Sequence, residues 1–275
     1  MITIEDLTMN GIKANLLGLL ALLAVSQMVS ANDAVASLGA GGIVIGKTDA
    51  IVMEQEDLFV SEDKIRVAYV FRNTSKEAIE TRVAFPVPEF PENPEMDLGL
   101  DVNSSNPMGF SVKVDGKAKK FETETKKKDG MVKMTHHWMQ TFPAGKPLRV
   151  THDYKPAAGG EAMFWFADEE RDAKIKKYCI EPDFAAWIDK TNRPDKGSVL
   201  SPTYVDYILT TGANWKGPIG KFRLTLQKKK ADDKISVCAT GLKKVDARTF
   251  VLEKTGFTPE TDLHVVFMHQ YKTGQ

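Results

Sequence analysis

The chain has 275 residues, with 37 basic and 37 acidic side chains and no formal net charge; 42% of it is hydrophobic and 27% charged. That balance supplies no field for holding a polyanion, which argues against a nucleic-acid partner. The composition is that of a globular chain able to fill a core.

The first element is "NLLGLLALLAVSQMVSA". Its ten-residue apolar run, Leu16 to Val25, is followed by Ser26, Gln27 and the small-residue site Val29-Ser30-Ala31. This is the pattern of a secretory signal peptide over residues 1–31, cut between Ala31 and Asn32. A spanning helix needs about twenty apolar residues, so no permanent membrane span is expected. Glu5 and Asp6 sit where basic residues belong, whereas a start at Met9 leaves Lys13 as the one charge before the run, so translation begins at Met1 or at Met9. The processed chain carries 36 basic and 35 acidic residues and is expected to be periplasmic or secreted.

"GGIVIGKT" comes next and fits the phosphate-binding loop G-x-x-x-x-G-K-[ST] through Gly41, Gly46, Lys47 and Thr48. That loop must follow a buried parallel strand, and "NDAVASLGA" is too short and broken to be one. Ile43, Val44 and Ile45 also favour extended chain over a loop that wraps phosphate. The stretch therefore reads as an approach to the first strand, and no nucleotide is expected.

Period-two patterning then dominates. "KIRVAYVFRN" sets Ile65, Val67, Tyr69 and Phe71 on one face, and "IETRVAFPVP" does the same with Ile79, Thr81, Val83 and Phe85. Proline-rich "FPVPEFPENPEM" cannot lie inside a central strand and reads as an exposed crossing. Asp115-Gly116 between two alternating runs predicts a hairpin. "MVKMTHHWMQTF" and "LRVTHDY" are further strands. The lysine runs 126–128 and 228–230 lead into acidic turns and read as solvated hairpin ends.

Alternation stops at "KPAAGGEA", residues 155–162, which suggests a boundary between a domain at 32–158 and one at 159–275. Beyond it "AMFWFADEE" and "KIKKYCIE" read as strands, and "PDFAAWIDK" as a short helix near 182–190 with Pro182 in its first turn. Five more apolar runs follow. The expected fold is mainly all-β, two antiparallel β-sandwich-like domains with one short helix. Cys179 and Cys238 are the two cysteines, and in an oxidising compartment they are read as one disulfide.

Candidate chemistry is sparse. Met131, Met134, His136, His137 and Met139 are soft ligands that would suit copper, but adjacent histidines on a strand point to opposite faces. Carboxylates crowd Asp168, Glu169, Glu170, Asp172, Glu181 and Asp183, where a glycan hydrolase would need two held about 5–9.5 Å apart. No nucleophile elbow occurs, and no cofactor is implied. Among the aromatics Phe164, Trp165, Phe166, Tyr204, Tyr207 and Trp215, about half are expected in the core. Trp215, in the loop "TTGANWKGPIGKF", either plugs one end of a sandwich or meets a partner, and the plug is favoured.

The stretches "NDAVASLGAGGIVIGKTDAIVMEQEDLFVS", "VAYVFRNTSKEAIETRVAFPVPEF" and "TTGANWKGPIGKFRLTL" together resemble the bacterial family called Domain of Unknown Function 4424. The resemblance spans nearly all of the processed chain. It implies an exported, mostly β protein and brings no activity, cofactor or catalytic residue that could be carried over. The expected function is a non-catalytic envelope binding module for a protein or glycan. Its contact surface is expected to draw on the long segment 89–110, with Phe90 and Met96, and on Trp165 and Trp215. The alternatives are the glycan hydrolase and the copper binder described above.

Overall fold

The computed structural model describes residues 40–41, 48–94, 98–160, 164 and 168–272. The signal segment with Ala31 and Asn32, most of the phosphate-loop match (42–47), Met96 and Trp165 lie outside the described residues. In chain order the first strands are β1 (Ala40–Gly41), β2 (Ile51–Val60), β3 (Ile65–Asn73), β4 (Ile79–Pro86), β5 (Phe90–Pro91) and β6 (Ser111–Val114). There follow β7 (Lys117–Ala118), β8 (Glu122–Lys128), β9 (Met131–Phe142), β10 (Pro147–Tyr154) and β11 (Gly159–Gly160). Helices α1 (Asp168–Tyr178) and α2 (Pro182–Thr191) precede β12 (Ser198–Ile208), β13 (Ile219–Gln227), β14 (Lys234–Val237), β15 (Lys243–Lys244), β16 (Thr249–Phe257) and β17 (Leu263–Lys272).

The strands form where side chains alternate. In β3, Ile65, Val67, Tyr69 and Phe71 are buried while the residues between them are not. Asp115 and Gly116 close the β6–β7 hairpin with φ of 46° and 80°, and Asp129 and Gly130 close β8–β9 with 52° and 75°. Both central residues at positive φ is the turn whose twist matches the flanking strands, and Asp-Gly tolerates it best.

Among the described residues the strands form three sheets. The largest has eight strands in the order β15-β16-β13-β2-β3-β10-β6-β7. Its pairs are antiparallel except β13 with β2, which run parallel. Strands from both sides of the boundary expected at 155–162 thus share one sheet, and the described residues belong to a single compact unit. A second sheet centres on β9, which pairs with β4, β5 and β8. The third runs β1-β12-β17-β14, with β11 also on β12.

The main core lies among these sheets and includes Val67, Phe71, Phe85, Phe110, Trp138, Leu224 and Phe267. A separate core lies under the helices, where Tyr178, Ile180, Ala185 and Ile188 meet Leu200, Tyr204, Val266 and Met268. Strand β17 therefore sends Leu263, Val265 and Phe267 into one core and Val266 and Met268 into the other. That is why "LHVVFMHQY" reads as a continuous apolar run.

Helix α1 corrects the strand expected at "KIKKYCIE" and the end, 168–170, of the one expected at "AMFWFADEE", so that the described residues hold two α-helices where one is expected. Its sequence, DEERDAKIKKY, has too few apolar residues to show a period. Good helix formers, acidic residues in its first turn and Lys176 and Lys177 in its last supply the reason. Helix α2 starts at Pro182 as expected. Among the described residues no helix is long and apolar enough to cross a membrane.

Candidate functional site

Strands β13 and β16 turn alternate side chains inward: Phe222 and Leu224 from one, Leu252 and Lys254 from the other. Opposite them stand Leu209 after β12, Leu263 at the start of β17, and Cys238 and Ala239 after β14. Between the two sheets these residues leave a cleft of about 340 Å³, rimmed by Thr258, Glu260, Thr261 and Asp262 of the β16–β17 turn. Its floor is core: Phe222, Leu224, Leu252 and Leu263 are all buried. A shallower hollow of about 460 Å³ lies on segment 99–109 beside Lys155 and is built largely from loop.

Local bonding fixes the walls. Asp262 Oδ1 accepts from the Leu209 and Thr210 backbone N–H groups, each at 3.0 Å, and from Thr210 Oγ1 at 2.8 Å, so it ties the rim to the end of β12. The Cys179–Cys238 disulfide is formed, with Cα atoms 5.0 Å apart, and anchors the β14 side to the end of α1. Phe222 packs on Phe257 with ring centroids 4.8 Å apart, and Lys254 Nζ lies 4.6 Å over the Phe257 ring. Lys254 has no ion-pair partner among the described residues. It is a cation held by a ring quadrupole beside a cleft with an apolar floor and a polar rim.

Leu209 also borders a small enclosed space with Met53, Glu56, Tyr69 and Tyr207. Glu56 is buried there because β2 carries a bulge between Met53 and Gln55, which shifts the inward register from Ile51 and Met53 to Glu56, Leu58 and Val60. Gly220 of β13 matches the bulge. A Cβ at Gly220 would sit 2.6 Å from the Glu54 carbonyl oxygen, so only glycine fits beside it. Tyr207 donates to Glu56 Oε1 at 3.1 Å, and the Tyr69 and Tyr207 hydroxyls are 3.0 Å apart. Burial pushes the Glu56 pKa up to about 8, against the smaller opposing effect of the Tyr207 hydrogen bond, so the carboxyl is protonated at neutral pH.

The residues singled out from the sequence are scattered. Phe90 is 1% exposed and packs in the core, so it does not face a partner. Trp215 is 4% exposed and packs on Phe71 with tilted rings and centroids 4.3 Å apart, the plug arrangement. In β9, Met134 and His136 point into the core and Met131, His137 and Met139 outward, so these copper candidates do not share a site. His136 packs among Phe85, Phe110 and Phe121. Of the carboxylates, Glu170 pairs with Lys174 one turn along α1, and Asp172, Glu181 and Asp183 are exposed. Nothing in the alternation of Phe222, Leu224 or Leu252 marks them as cleft residues. The one available signal was Lys254, which stands in the inward register of "TFVLEKTGF".

A protein from Legionella pneumophila, described with its crystal structure as a candidate nutrient binding protein, is similar in fold: TM-score 0.59, 17% identity, 86% of this chain and 72% of that chain. Leukotriene A4 hydrolase from Saccharomyces cerevisiae gives a TM-score of 0.36 at 10% identity over 82% of this chain, and an M1 zinc metallopeptidase from Deinococcus radiodurans 0.32 at 12% over 80%. The chain spans 30% and 43% of those two enzymes. No curated protein matches in sequence. The family described as Domain of unknown function (DUF4424) matches residues 31–130 and 123–266.

Proposed function

The chain belongs to the Domain of unknown function (DUF4424) family, and on that premise we propose that it is an exported binding protein for a small molecule with an apolar body and an anionic group. The observation that carries this reading is the cleft between β13–β16 and β17, floored by Phe222, Leu224, Leu252 and Leu263, with Lys254 held over it. Its volume of about 340 Å³ lies in the range of small-molecule sites, roughly 300–1,000 Å³. The apolar floor supplies affinity by burial, and Lys254 supplies orientation by its charge. The Legionella protein of similar fold, described as a candidate nutrient binder, is consistent with this class of function.

Export is supported by the run Leu16–Val25, by the small-residue site ending at Ala31, and by the disulfide, which persists in an oxidising compartment. Intact-mass measurement of the protein from a periplasmic or extracellular fraction should give a chain beginning at Asn32. Recovery of the full-length form from the cytosol alone would count against export.

Binding is tested by thermal unfolding with a panel of small carboxylates that differ in apolar bulk. A true ligand at about a hundred times its Kd should raise Tm by roughly 5–10 °C. Ala239→Trp, which fills the cleft, should abolish the shift, and Lys254→Gln should weaken carboxylates by about tenfold or more. The reading fails if no panel member shifts Tm and native mass spectrometry of the purified protein carries no small molecule.

A further inference from the structure

Away from the cleft, three chain segments bring chemistry together. Glu62 follows β2 of the eight-stranded sheet, Asp233 precedes β14, and His269 lies in β17 of the third sheet. All three are buried. His269 Nε2 is 2.5 Å from Glu62 Oε1, and His269 Nδ1 is 3.0 Å from Asp233 Oδ1. One ligand atom from each residue lies within 4.8 Å of the other two.

Hydrogen bonding inside the cluster leaves one group unexplained. Glu62 Oε2 is buried and has no hydrogen-bond partner, although the Glu62 side chain is only 1% exposed. A buried carboxylate oxygen without a donor is costly. The neighbouring cations are engaged elsewhere: Lys228 Nζ donates to the Ala231 and Asp233 carbonyls, and Lys229 Nζ pairs with Asp63 at 3.0 Å. The Lys230 N–H holds Asp233 Oδ2 at 2.8 Å.

We propose that Glu62 and His269 bind a divalent transition-metal ion of the Zn²⁺ class, with Asp233 orienting the histidine. The ion takes Nε2 and the Glu62 carboxylate, including the orphaned Oε2, and the proton that Nε2 shares with Glu62 is released to solvent. Asp233 Oδ1 keeps the Nδ1–H, the outer carboxylate partner that metal-bound imidazoles commonly have. Thr203 Oγ1, 3.5 Å from Nε2, is a neutral oxygen on the same side. Zn²⁺ bonds of about 2.0–2.2 Å to nitrogen and oxygen require the Nε2–Oε1 contact to open by about 1 Å, a side-chain adjustment. One imidazole with carboxylate oxygens suits Zn²⁺ over the soft-ligand copper chemistry weighed as an alternative at β9. The bound ion joins the turn after β2 to β17, and so the largest sheet to the third.

The test uses the processed full chain, stripped with chelator and titrated with Zn²⁺ alone. One equivalent should be retained in native mass spectrometry, Tm should rise by roughly 5–10 °C at about a hundredfold excess over Kd, and chelator should reverse both effects. The His269 ring-nitrogen resonances should move in a long-range ¹H–¹⁵N spectrum of the natural chain, a readout that needs no variant. Glu62→Gln and His269→Gln should lose the Tm shift, and Mg²⁺ should not produce it. A Tm indifferent to Zn²⁺, unmoved His269 resonances, or a shift that survives both substitutions would overturn the site. None of these outcomes bears on the cleft, which shares no residue with it.

Discussion

Glu56→Gln should flatten the alkaline limb of the stability curve, gaining on the natural chain as pH rises from about 5 to 8. The native Glu56 pKa is pushed from 4.5 to about 8, chiefly by burial. Between those values the native state holds a proton that the unfolded chain has released, so each rise in pH favours unfolding. The contribution is fully present below pH 4.5 and lost as pH passes about 8. At about 1.4 kcal/mol per pH unit the full loss is of order 5 kcal/mol, an upper figure. Glutamine keeps the shape, still accepts the Tyr207 hydroxyl and cannot ionise.

The acid limb provides an internal control. Burial pulls the His152 pKa down to about 3; His136 falls to about 4 through burial and, second, the charge of His137. Their native pKa values are depressed, so the stability they confer is present above the unfolded value of 6.5 and is lost as pH falls towards 3–4. His152 sits among Phe110, Tyr69, Trp138 and Phe85, with neither ring nitrogen hydrogen-bonded, so nothing there compensates a charge. Urea unfolding at pH 4 to 9 should show both limbs in the natural chain and a shallower alkaline limb in Glu56→Gln, where His269, its pKa raised against burial by the hydrogen bonds to Glu62 and Asp233, still contributes. Equal slopes above pH 6.5 in the two proteins would refute the assignment.

Removing the disulfide by Cys179→Ser with Cys238→Ser should cost about 4 kcal/mol, the chain-entropy value for a loop of this size. The cysteines are 59 residues apart in sequence. Guanidinium unfolding checks the magnitude through the midpoint. A loss below about 1 kcal/mol would mean that the bridge does not constrain the unfolded chain. Position adds a second consequence: Cys238 lines the cleft while Cys179 follows α1, so the bridge holds one cleft wall to the helical layer. Ligands of the cleft should therefore bind the double-serine variant more weakly even where it remains folded.

Local signals were legible wherever a short window carries the cause. The hairpins at Asp115-Gly116 and Asp129-Gly130 follow from turn chemistry alone. Alternation located β3, β9 and β10, and it placed His136 and His137 on opposite faces of β9. Helix α1 escaped because a helix held mainly by charged residues has no apolar stripe to read.

The candidate sites escaped for another reason. Lys254 and Glu56 are polar residues at inward positions, and within a strand such residues look like breaks in a pattern. Phe90 and Trp215 are candidate contact residues in the sequence, with the plug favoured for Trp215, and only packing against distant segments covers them, Trp215 against the Phe71 ring.

By itself the amino-acid sequence determined which stretches extend, where they reverse and which two cysteines could pair, because these depend on neighbours a few residues away. Only the tertiary structure decided that β13 lies parallel to β2, that the bulge beside Gly220 turns Glu56 inward, that Glu62 and His269 meet, and that two sheets part beneath Lys254. Those outcomes depend on which distant faces bury each other, and the energy that selects among them is shared across the core instead of being carried by any one segment.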